Sequence, residues 1–479
     1  MRPDSFARLF RTVVVLSAFF LMSVTVFAQT GKPPLIIIPG ITGSELVDSE
    51  TGKTLWFSFR LGRGEPDDLR LPMSLNPSAN RDNVVAKDII RDVRLPGALR
   101  VFPDIHVYDE ALKALTAAGY SEATWENPKA SDCFYVFPYD WRRDNVESAH
   151  LLIQKIEAVK AKLNRHDIKF DILAHSMGGL VARYAAMYGK ADLPTGSDAP
   201  VPTGEGARHI GKLLLFGTPS EGSFSAFVTL IHGYRIGGRV LSIDDMTEAD
   251  VFTIPSLYQL LPYGASVQVL DENLKPMSVN LYDPATWRKY NWGAIGSPKF
   301  LAKLKAANQT KGTEPATDAK TVDDKIHAET TFEQANVFLS LMLSRAQKFH
   351  QALSVKTAKP SVETIVYGGD CKETLSAVVL VRDVKKDRWE TVVSPREIHT
   401  RSGRKISKER VKAAIYVDGD GRVTERSLLA AATTSGTVKK SKAGPGVKSS
   451  YFACVSHPKL LNSREIQAQF LPVLNGRQK

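Results

Sequence analysis

The sequence has few cysteines and lacks the patterns of a metal site or of a nucleic-acid-binding module. Three cysteines occur among 479 residues, and no Cys and His pairs stand at zinc-site spacing. The formal net charge is +12, yet neither a basic helix nor an RNA-binding motif accompanies it. We therefore expect no metal, no cofactor and no nucleic-acid partner. The spread of the positive charge is typical of solvated loops and permits a weak attraction to anionic lipid surfaces.

A long apolar run is also missing after residue 28, so no later stretch is predicted to span a bilayer. At the start of the chain, three arginines precede the uncharged run Thr12–Ala28, which ends in the small-x-small pattern Val26-Phe27-Ala28. This pattern predicts a secretory signal peptide over residues 1–28, cleaved after Ala28, and hence an exported protein. An uncleaved anchor is the alternative, although the run is near the short end for a span.

Export places the three cysteines in an oxidising environment, which allows one disulfide and leaves one thiol over. Cys371 and Cys454 each lie near the end of a predicted strand, so we predict that these two form the pair. Cys133 is then the remaining thiol. Three free and mostly buried thiols are the alternative.

Within Lys169–Gly189 the sequence predicts a strand, a sharp turn and a helix, in that order. The mostly apolar run Phe170–Leu173 predicts a buried strand, and apolar residues at helical spacing follow it. Ser176 stands between them in Ala-His-Ser-Met-Gly, which matches the nucleophile elbow Gly-x-Ser-x-Gly with alanine as the first small residue. We predict Ser176 as a nucleophile and the backbone N–H of Met177, at the helix N-terminus, as an oxyanion donor. A chance serine among small residues is the alternative.

A glycine-flanked turn follows the first predicted strand, Leu35–Ile38. Hydrolases with an elbow serine take their second oxyanion donor from a loop after an early strand, and the backbone N–H of Ile41 is the candidate here. An ordinary turn at a strand exit is the alternative. The presence of the Ser176 elbow favours the functional interpretation.

Strands and helices alternate along the chain, which indicates a mostly parallel sheet with helices on both faces, the α/β-hydrolase fold. The later predicted strands are Phe134–Phe137, Leu213–Phe216, Glu363–Tyr367, Ala413–Val417 and Tyr451–Val455. We predict one α/β-hydrolase domain over residues 29–479 with three insertions. They are an irregular segment at 44–103, a cap or lid at 224–299, and a charged excursion at 383–410. In the first of these, the apolar residues Leu55, Trp56 and Phe57 either contact a lipid interface or form a small local core.

Polar residues near the ends of predicted strands complete the candidate site. Active residues of parallel sheets lie at the carboxyl ends of strands, and Ser176, Asp420 and His457 each lie within a few residues of one. Their order along the chain, serine then acid then histidine, is that of an α/β hydrolase. In such a triad His457 takes the proton of the Ser176 hydroxyl, and Asp420 orients the imidazole.

Both the acid and the base have rivals in the sequence. His175 directly precedes the candidate nucleophile and cannot easily turn back onto it, so packing or a supporting hydrogen bond is its expected role. His399 lies in the charged excursion, and position therefore favours His457. Asp418 stands two residues before Asp420 and remains an alternative acid on position alone.

Several islands of sequence together resemble the lecithin:cholesterol acyltransferase family, which includes the lysosomal phospholipase/transacylase. The islands are PLIIIPGITGSEL, FPYDWRR, LAHSMGGLVARYAA, LFGTPSEGS, YVDGDGRVTERSL and SHPKLL. The resemblance implies an α/β-hydrolase fold and assigns the nucleophile to Ser176, the acid to Asp420, the base to His457 and the oxyanion donors to Ile41 and Met177. It also implies acyl transfer from a lipid ester, through an acyl-serine, to water or to an alcohol.

We expect an exported serine esterase or O-acyltransferase of lipids, namely a phospholipase, lipase or transacylase, that contacts a membrane or lipid surface peripherally. A peptidase or amidase on the same scaffold and a non-catalytic lipid-binding protein are the alternatives. The residues determine neither the acyl acceptor nor the oligomeric state.

Overall fold

The computed structural model describes residues 31–57, 59–61, 69–74, 81–93, 105–237, 241–296, 332–355, 362–383, 387–430 and 449–476. The predicted signal peptide lies outside these ranges, as do parts of the three predicted insertions. Among the helices of these ranges, none combines the length and the apolar character that a bilayer span requires.

Seven parallel strands form the central sheet. In chain order they are β1 (Leu35–Ile38), β2 (Ser121–Glu122), β3 (Cys133–Val136), β4 (Phe170–His175), β5 (Ile210–Phe216), β6 (Glu363–Gly369) and β7 (Ser449–Ala453). Across the sheet the order is β7-β6-β5-β4-β1-β3-β2. Every residue of β1 and β4 is buried, as expected for central strands covered on both faces. This architecture is the predicted α/β-hydrolase fold.

Helices cover both faces of the sheet. The α-helices of the described residues, including those outside the sheet faces, are α1 (Asp109–Ala117), α2 (Asn145–Lys162), α3 (Met177–Tyr188), α4 (Phe224–His232), α5 (Glu248–Phe252), α6 (Pro255–Tyr258), α7 (Pro284–Tyr290), α8 (Phe332–Leu353), α9 (Lys408–Ile415), α10 (Glu425–Leu429) and α11 (Arg464–Leu474). Alternate residues of β1 enter two different cores. Leu35 and Ile37 pack with α1 and α11, whereas Ile36 and Ile38 pack with α2 and α3, because side chains alternate across a strand.

The other strands form small sheets outside the central one. Their groups are Ser44–Asp48 with Thr54–Trp56 and Val84–Ile89; Phe59–Leu61 with Tyr234–Gly237 and Leu241–Met246; Val269–Leu270 with Pro276–Met277, Val378–Asp383 and Arg388–Val392; Lys372–Leu375 with Tyr416–Gly419; Ile398–His399 with Lys405–Ile406; and Asp92–Val93 with Ile105–His106. The segment 44–103 is therefore not irregular throughout. Its first sheet is antiparallel and pairs residues about 40 positions apart, a contact that local pattern does not reveal. Trp56 is buried and packs against Trp141 with ring centroids 5.1 Å apart, so at this residue the structure has the local core and not an exposed lipid contact.

One predicted strand begins too early in the sequence. Residues Ala413–Ile415, predicted as strand, form the last turn of helix α9, and the strand starts only at Tyr416. The Ser407 side chain caps this helix by accepting a hydrogen bond from the Arg410 backbone N–H. Val411 and Ile415 are both buried and stand four residues apart, so the apolar spacing here is that of a helix.

Arg142 attaches the first insertion to the main fold. Its buried guanidinium makes two hydrogen bonds to Asp82 at 2.8 and 2.9 Å, and it pairs with Asp140 at 2.8 and 2.9 Å. It also donates to the Leu69 carbonyl. Because Asp140 follows β3 and Asp82 belongs to the insertion, one arginine joins both segments.

Candidate active site

Ser176 occupies the sharp turn between β4 and α3, with φ of 52° and ψ of −125°. This left-handed backbone is strained for a residue with a side chain. The turn also needs small neighbours. A Cβ atom on Gly178 would lie 2.4 Å from the Pro39 carbonyl oxygen, and one on Gly179 would lie 1.9 Å from Thr218 Oγ1. The predicted strand, turn and helix around Ser176 are all present.

The side chain of His457 lies between those of Ser176 and Asp420. Its Nε2 is 2.9 Å from Ser176 Oγ, and its Nδ1 is 2.7 Å from Asp420 Oδ2. All three side chains are buried. Because a carboxylate oxygen only accepts, the proton of the neutral ring resides on Nδ1, which leaves Nε2 free to accept the serine proton. The structure thus brings together three residues that are far apart in the sequence.

Asp420 is held by its own loop. Its Oδ1 accepts hydrogen bonds from the backbone N–H groups of Arg422 at 2.9 Å and Val423 at 2.7 Å. Its carbonyl accepts the His457 backbone N–H at 2.8 Å, so side chain and backbone of Asp420 both contact His457. Asp418 is exposed on the strand Tyr416–Gly419. The geometry therefore selects Asp420 as the partner of His457.

The Pro39-Gly40-Ile41 turn lies against the serine. A Cβ atom on Gly40 would be 2.7 Å from Ser176 Cβ and 3.3 Å from its Oγ. Ile41 follows this contact directly, and Met177 is the first residue of α3, where helix N–H groups have no partner within the helix. The two predicted oxyanion donors therefore belong to the residue after the Gly40 contact and to the first residue of the helix that follows Ser176.

His175 and Tyr108 connect separate parts of the site. Tyr108 Oη is 2.9 Å from His175 Nδ1, and His175 Nε2 is 3.0 Å from the His457 carbonyl oxygen. Because that carbonyl only accepts, the His175 proton is on Nε2, and Tyr108 donates to Nδ1. Burial, followed by the nearby His457, lowers the pKa of His175 to about 3, so this ring is neutral. Packing or a supporting hydrogen bond was its expected role, and the structure has the hydrogen bonds. No sequence motif identifies Tyr108 as the partner of His175, which is 67 positions away along the chain.

Two glycines at strand ends make room for His457 and Asp420. A Cβ atom on Gly217, directly after β5, would lie 2.9 Å from His457 Nδ1. One on Gly369, the last residue of β6, would lie 2.8 Å from Asp420 Cβ. Both glycines lie at the carboxyl end of a parallel strand, where active residues of such sheets are found. Their positions in the sequence are therefore a signal that could have pointed to the site.

The predicted disulfide between Cys371 and Cys454 is present, with a Cα–Cα distance of 5.0 Å. Cys371 precedes the strand Lys372–Leu375, which pairs with Tyr416–Gly419 immediately before Asp420. Cys454 lies three residues before His457. Cys133 is free and buried, and burial raises the pKa of its thiol to about 11.

A cavity of about 670 Å³ lies beside the Asp420 loop. Asp418, Thr424 and Phe224 are among its lining residues, whereas the five predicted site residues are not. The hydrogen bonds of His457, and not this cavity, therefore define the candidate site. Within the ranges that the structure describes, no group of three His, Cys, Asp or Glu side chains forms a metal site.

Part of the chain matches the model of a known protein family. The model of the lecithin:cholesterol acyltransferase family matches residues 99–334. The chain is a lecithin:cholesterol acyltransferase-like α/β hydrolase. The matched segment contains Ser176 and Met177 and ends before Asp420 and His457. Similarity to this family supports a lipid esterase or acyltransferase. No curated protein sequence matches the chain.

Solved structures resemble this lecithin:cholesterol acyltransferase-like hydrolase at low sequence identity. The structure of the Tle4-Tli4 complex has a TM-score of 0.53 and 14% identity, covering 93% of this chain and 99% of that chain. This similarity shows a shared fold. Bacillus licheniformis lipase BlEst2 in its mature form has a TM-score of 0.32 and 11% identity, covering 93% of this chain and 93% of that chain. EstA from Clostridium botulinum has a TM-score of 0.34 and 11% identity, covering 95% of this chain and 89% of that chain.

Proposed function

We propose that the protein is a serine esterase or O-acyltransferase of lipids that works through an acyl-enzyme on Ser176. The observation that carries this proposal is the position of His457, hydrogen-bonded to both Ser176 and Asp420. A serine hydroxyl is a weak nucleophile until an adjacent base takes its proton, and His457 Nε2 is within hydrogen-bond distance of that proton. The family match supports a lipid ester as the substrate class.

The first half of the reaction forms the acyl-enzyme. Ser176 Oγ attacks the ester carbonyl carbon while His457 Nε2 takes the hydroxyl proton, and Asp420 stabilises the resulting imidazolium. The backbone N–H groups of Ile41 and Met177 hydrogen-bond the oxyanion of the tetrahedral intermediate. When the intermediate collapses, the ester C–O bond breaks, and His457 gives its proton to the departing alcohol.

The second half of the reaction releases the acyl group. Water or an alcohol attacks the acyl-serine carbonyl and gives its proton to His457. Collapse of this second intermediate returns the proton to Ser176 Oγ and releases a fatty acid or a new ester. The balance between the two products depends on how far the site excludes water.

Replacement of the serine tests the proposal directly. Ser176→Ala is expected to lower ester hydrolysis by a factor on the order of 10,000 to 1,000,000 and to abolish fluorophosphonate labelling, with Tm preserved. Ser340→Ala, on helix α8, is the matched control and should retain full activity and labelling. Hydrolysis by Ser176→Ala at the control rate would refute the proposal.

Product analysis shows whether water or an alcohol accepts the acyl group. Comparison of substrates shows whether esters or amides are cleaved. Incubation with mixed phospholipids, with and without a long-chain alcohol, should yield fatty acids or fatty esters by mass spectrometry. Cleavage of p-nitrophenyl esters should exceed cleavage of matched peptide amides. Preferred cleavage of the amides would instead establish a peptidase or amidase.

We also propose that the protein is exported and meets its lipid at a membrane or lipid surface. The Cys371–Cys454 disulfide supports export, because such bonds persist in oxidising compartments. Expression in a bacterium, followed by fractionation and N-terminal sequencing, should yield a chain that begins at Gln29 outside the cytoplasm. A full-length chain retained in the cytoplasm with two reduced thiols at these positions would refute export.

A further inference from the structure

Two tyrosine hydroxyls hold opposite edges of one peptide group beside the candidate nucleophile. Tyr139 Oη donates a hydrogen bond to the Pro39 carbonyl oxygen at 3.0 Å. The Gly40 N–H donates to Tyr108 Oη at 2.9 Å. The Pro39 carbonyl and the Gly40 N–H belong to the same planar peptide group and point in opposite directions. The two tyrosines therefore prevent this plane from rotating about the chain axis.

The next peptide group carries the candidate oxyanion donor. It consists of the Gly40 carbonyl and the Ile41 N–H. The Gly40 carbonyl accepts a hydrogen bond from the Gly43 N–H at 3.1 Å, so the Ile41 N–H points away from Gly43. A Cβ atom on Gly43 would lie 2.9 Å from Tyr108 Oη, which shows how closely the tyrosine packs beneath this turn.

Both tyrosines are buried, and burial raises the pKa of each hydroxyl, so both remain protonated. Tyr108 uses its own proton to bind His175 Nδ1, and His175 in turn donates to the His457 carbonyl. Tyr108 Oη thus accepts a hydrogen bond from the Gly40 N–H. Through His175 it is also connected with the backbone of His457, the candidate base. Each hydroxyl has its partners, which makes the arrangement rigid.

We propose that Tyr108 and Tyr139 are positioning residues that orient the Ile41 N–H toward the oxyanion formed at Ser176; this inference rests on the proposed function. The tyrosine hydroxyls bind the Pro39–Gly40 peptide group and His175, not the reacting atoms. Their effect is on the transition state, because an oxyanion donor acts mainly when charge develops on the substrate oxygen. Loss of either hydroxyl should therefore slow the chemical step while leaving ground-state binding nearly unchanged.

The test compares Tyr108→Phe and Tyr139→Phe with Tyr258→Phe. Tyr258 is an equally buried tyrosine whose hydroxyl donates to a backbone carbonyl, that of Phe252, at 2.8 Å. For a p-nitrophenyl ester, each of the first two variants is expected to lower kcat about 10- to 100-fold, with KM within about twofold. Tyr258→Phe should leave kcat within about twofold, while all three variants lower Tm to a similar extent.

The double variant gives a second measurement. Because both hydroxyls act on the same peptide group, the kcat loss of Tyr108→Phe with Tyr139→Phe should be smaller than the product of the two single losses. Should Tyr108→Phe fail to fold, Tyr139→Phe alone decides, since it leaves the Tyr108–His175 hydrogen bond in place. A loss of kcat equal to that of Tyr258→Phe, or a rise of KM at constant kcat, would overturn the inference. Activity that survives in Ser176→Ala would instead refute the proposed function itself.

Discussion

The Cys371–Cys454 disulfide connects the backbone next to Asp420 with the segment that carries His457. On one side, the strand that follows Cys371 pairs with the strand that leads into Asp420. On the other side, Cys454 stands three residues before His457. The covalent bond therefore restrains the separation of Asp420 and His457 through their backbones, in addition to the hydrogen bond between their side chains.

Removal of this bond should affect both stability and catalysis. The two cysteines are separated by 83 positions, and a bond across a loop of this size stabilises a fold by about 2–5 kcal/mol. Cys371→Ser with Cys454→Ser should lower the free energy of unfolding by this amount and lower kcat, as measured by urea denaturation and ester hydrolysis. Cys133→Ala, which removes the free thiol, is the control. Equal activity of the double variant and the control would show that the bond does not support the site.

Asp420 and Asp418 should differ sharply in their contribution to catalysis. Asp420→Asn keeps the shape of the side chain but removes the charge that orients His457, so kcat is expected to fall by about 10,000-fold. Asp418→Asn changes an exposed residue and should leave kcat nearly unchanged. Steady-state hydrolysis of one ester by both variants makes the measurement. If Asp418→Asn were the more impaired variant, the assignment of the acid would be wrong.

Arg142 should be among the residues most important for stability. Arg142→Met leaves the Asp82 and Asp140 carboxylates without their shared cation, and breaking a buried ion pair in this way costs about 3–5 kcal/mol. Urea denaturation at neutral pH measures the loss. Arg165→Met, which removes an exposed pair with Asp167, should change the stability far less. Comparable losses in the two variants would contradict the anchoring role of Arg142.

Buried histidines should make the fold sensitive to acid. Burial lowers the pKa of both His175 and His350 from 6.5 to about 3, so between these values the unfolded chain binds protons that the folded chain does not. Stability should then fall as pH drops from 6.5 toward 3, by about 1.4 kcal/mol per pH unit for each histidine. Asp171 has the opposite effect between pH 6 and 3.8. Burial raises its pKa to about 6, so over this range the folded chain binds a proton that the unfolded chain does not, and this contribution to stability grows as the pH falls.

A single substitution isolates this effect. His350 stacks on Tyr263 with ring centroids 5.1 Å apart, and His350→Phe retains a flat ring that cannot bind a proton. Between pH 6.5 and pH 4.5 this variant should lose about 2–3 kcal/mol less stability than the parent protein. Urea denaturation at the two pH values measures the difference. An identical pH dependence of the two proteins would exclude His350 as a cause.

The parts of the fold that were predicted are those with a local signature. The bounds of β1 and the strand–turn–helix around Ser176 follow from apolar runs, helical spacing and small residues within a short stretch. Asp420 and His457 could be nominated because parallel strands place their carboxyl ends at one edge. Nomination of Asp420 over Asp418 also needed the family resemblance, since both follow the same predicted strand.

The parts that were missed depend on contacts between distant residues. Tyr108 reaches Gly40 and His175 across 68 and 67 positions, and no pattern near Tyr108 records either contact. The antiparallel pairing of Ser44–Asp48 with Val84–Ile89 is likewise visible only once the chain has folded. At Ala413–Ile415 the β-branched and apolar residues suggested a strand, and the Ser407 cap with the buried Val411–Ile415 face favours the helix.

The backbone of Ser176 has a consequence for how the protein can evolve and be engineered. A residue with a side chain held at φ of 52° and ψ of −125° stores about 1–3 kcal/mol of conformational strain. Glycine adopts this backbone without that strain because it has no Cβ atom. Ser176→Gly should therefore unfold at a higher temperature than the parent while losing its reactive hydroxyl. Under the proposed function, stability and catalysis therefore place opposite demands on the residue at position 176.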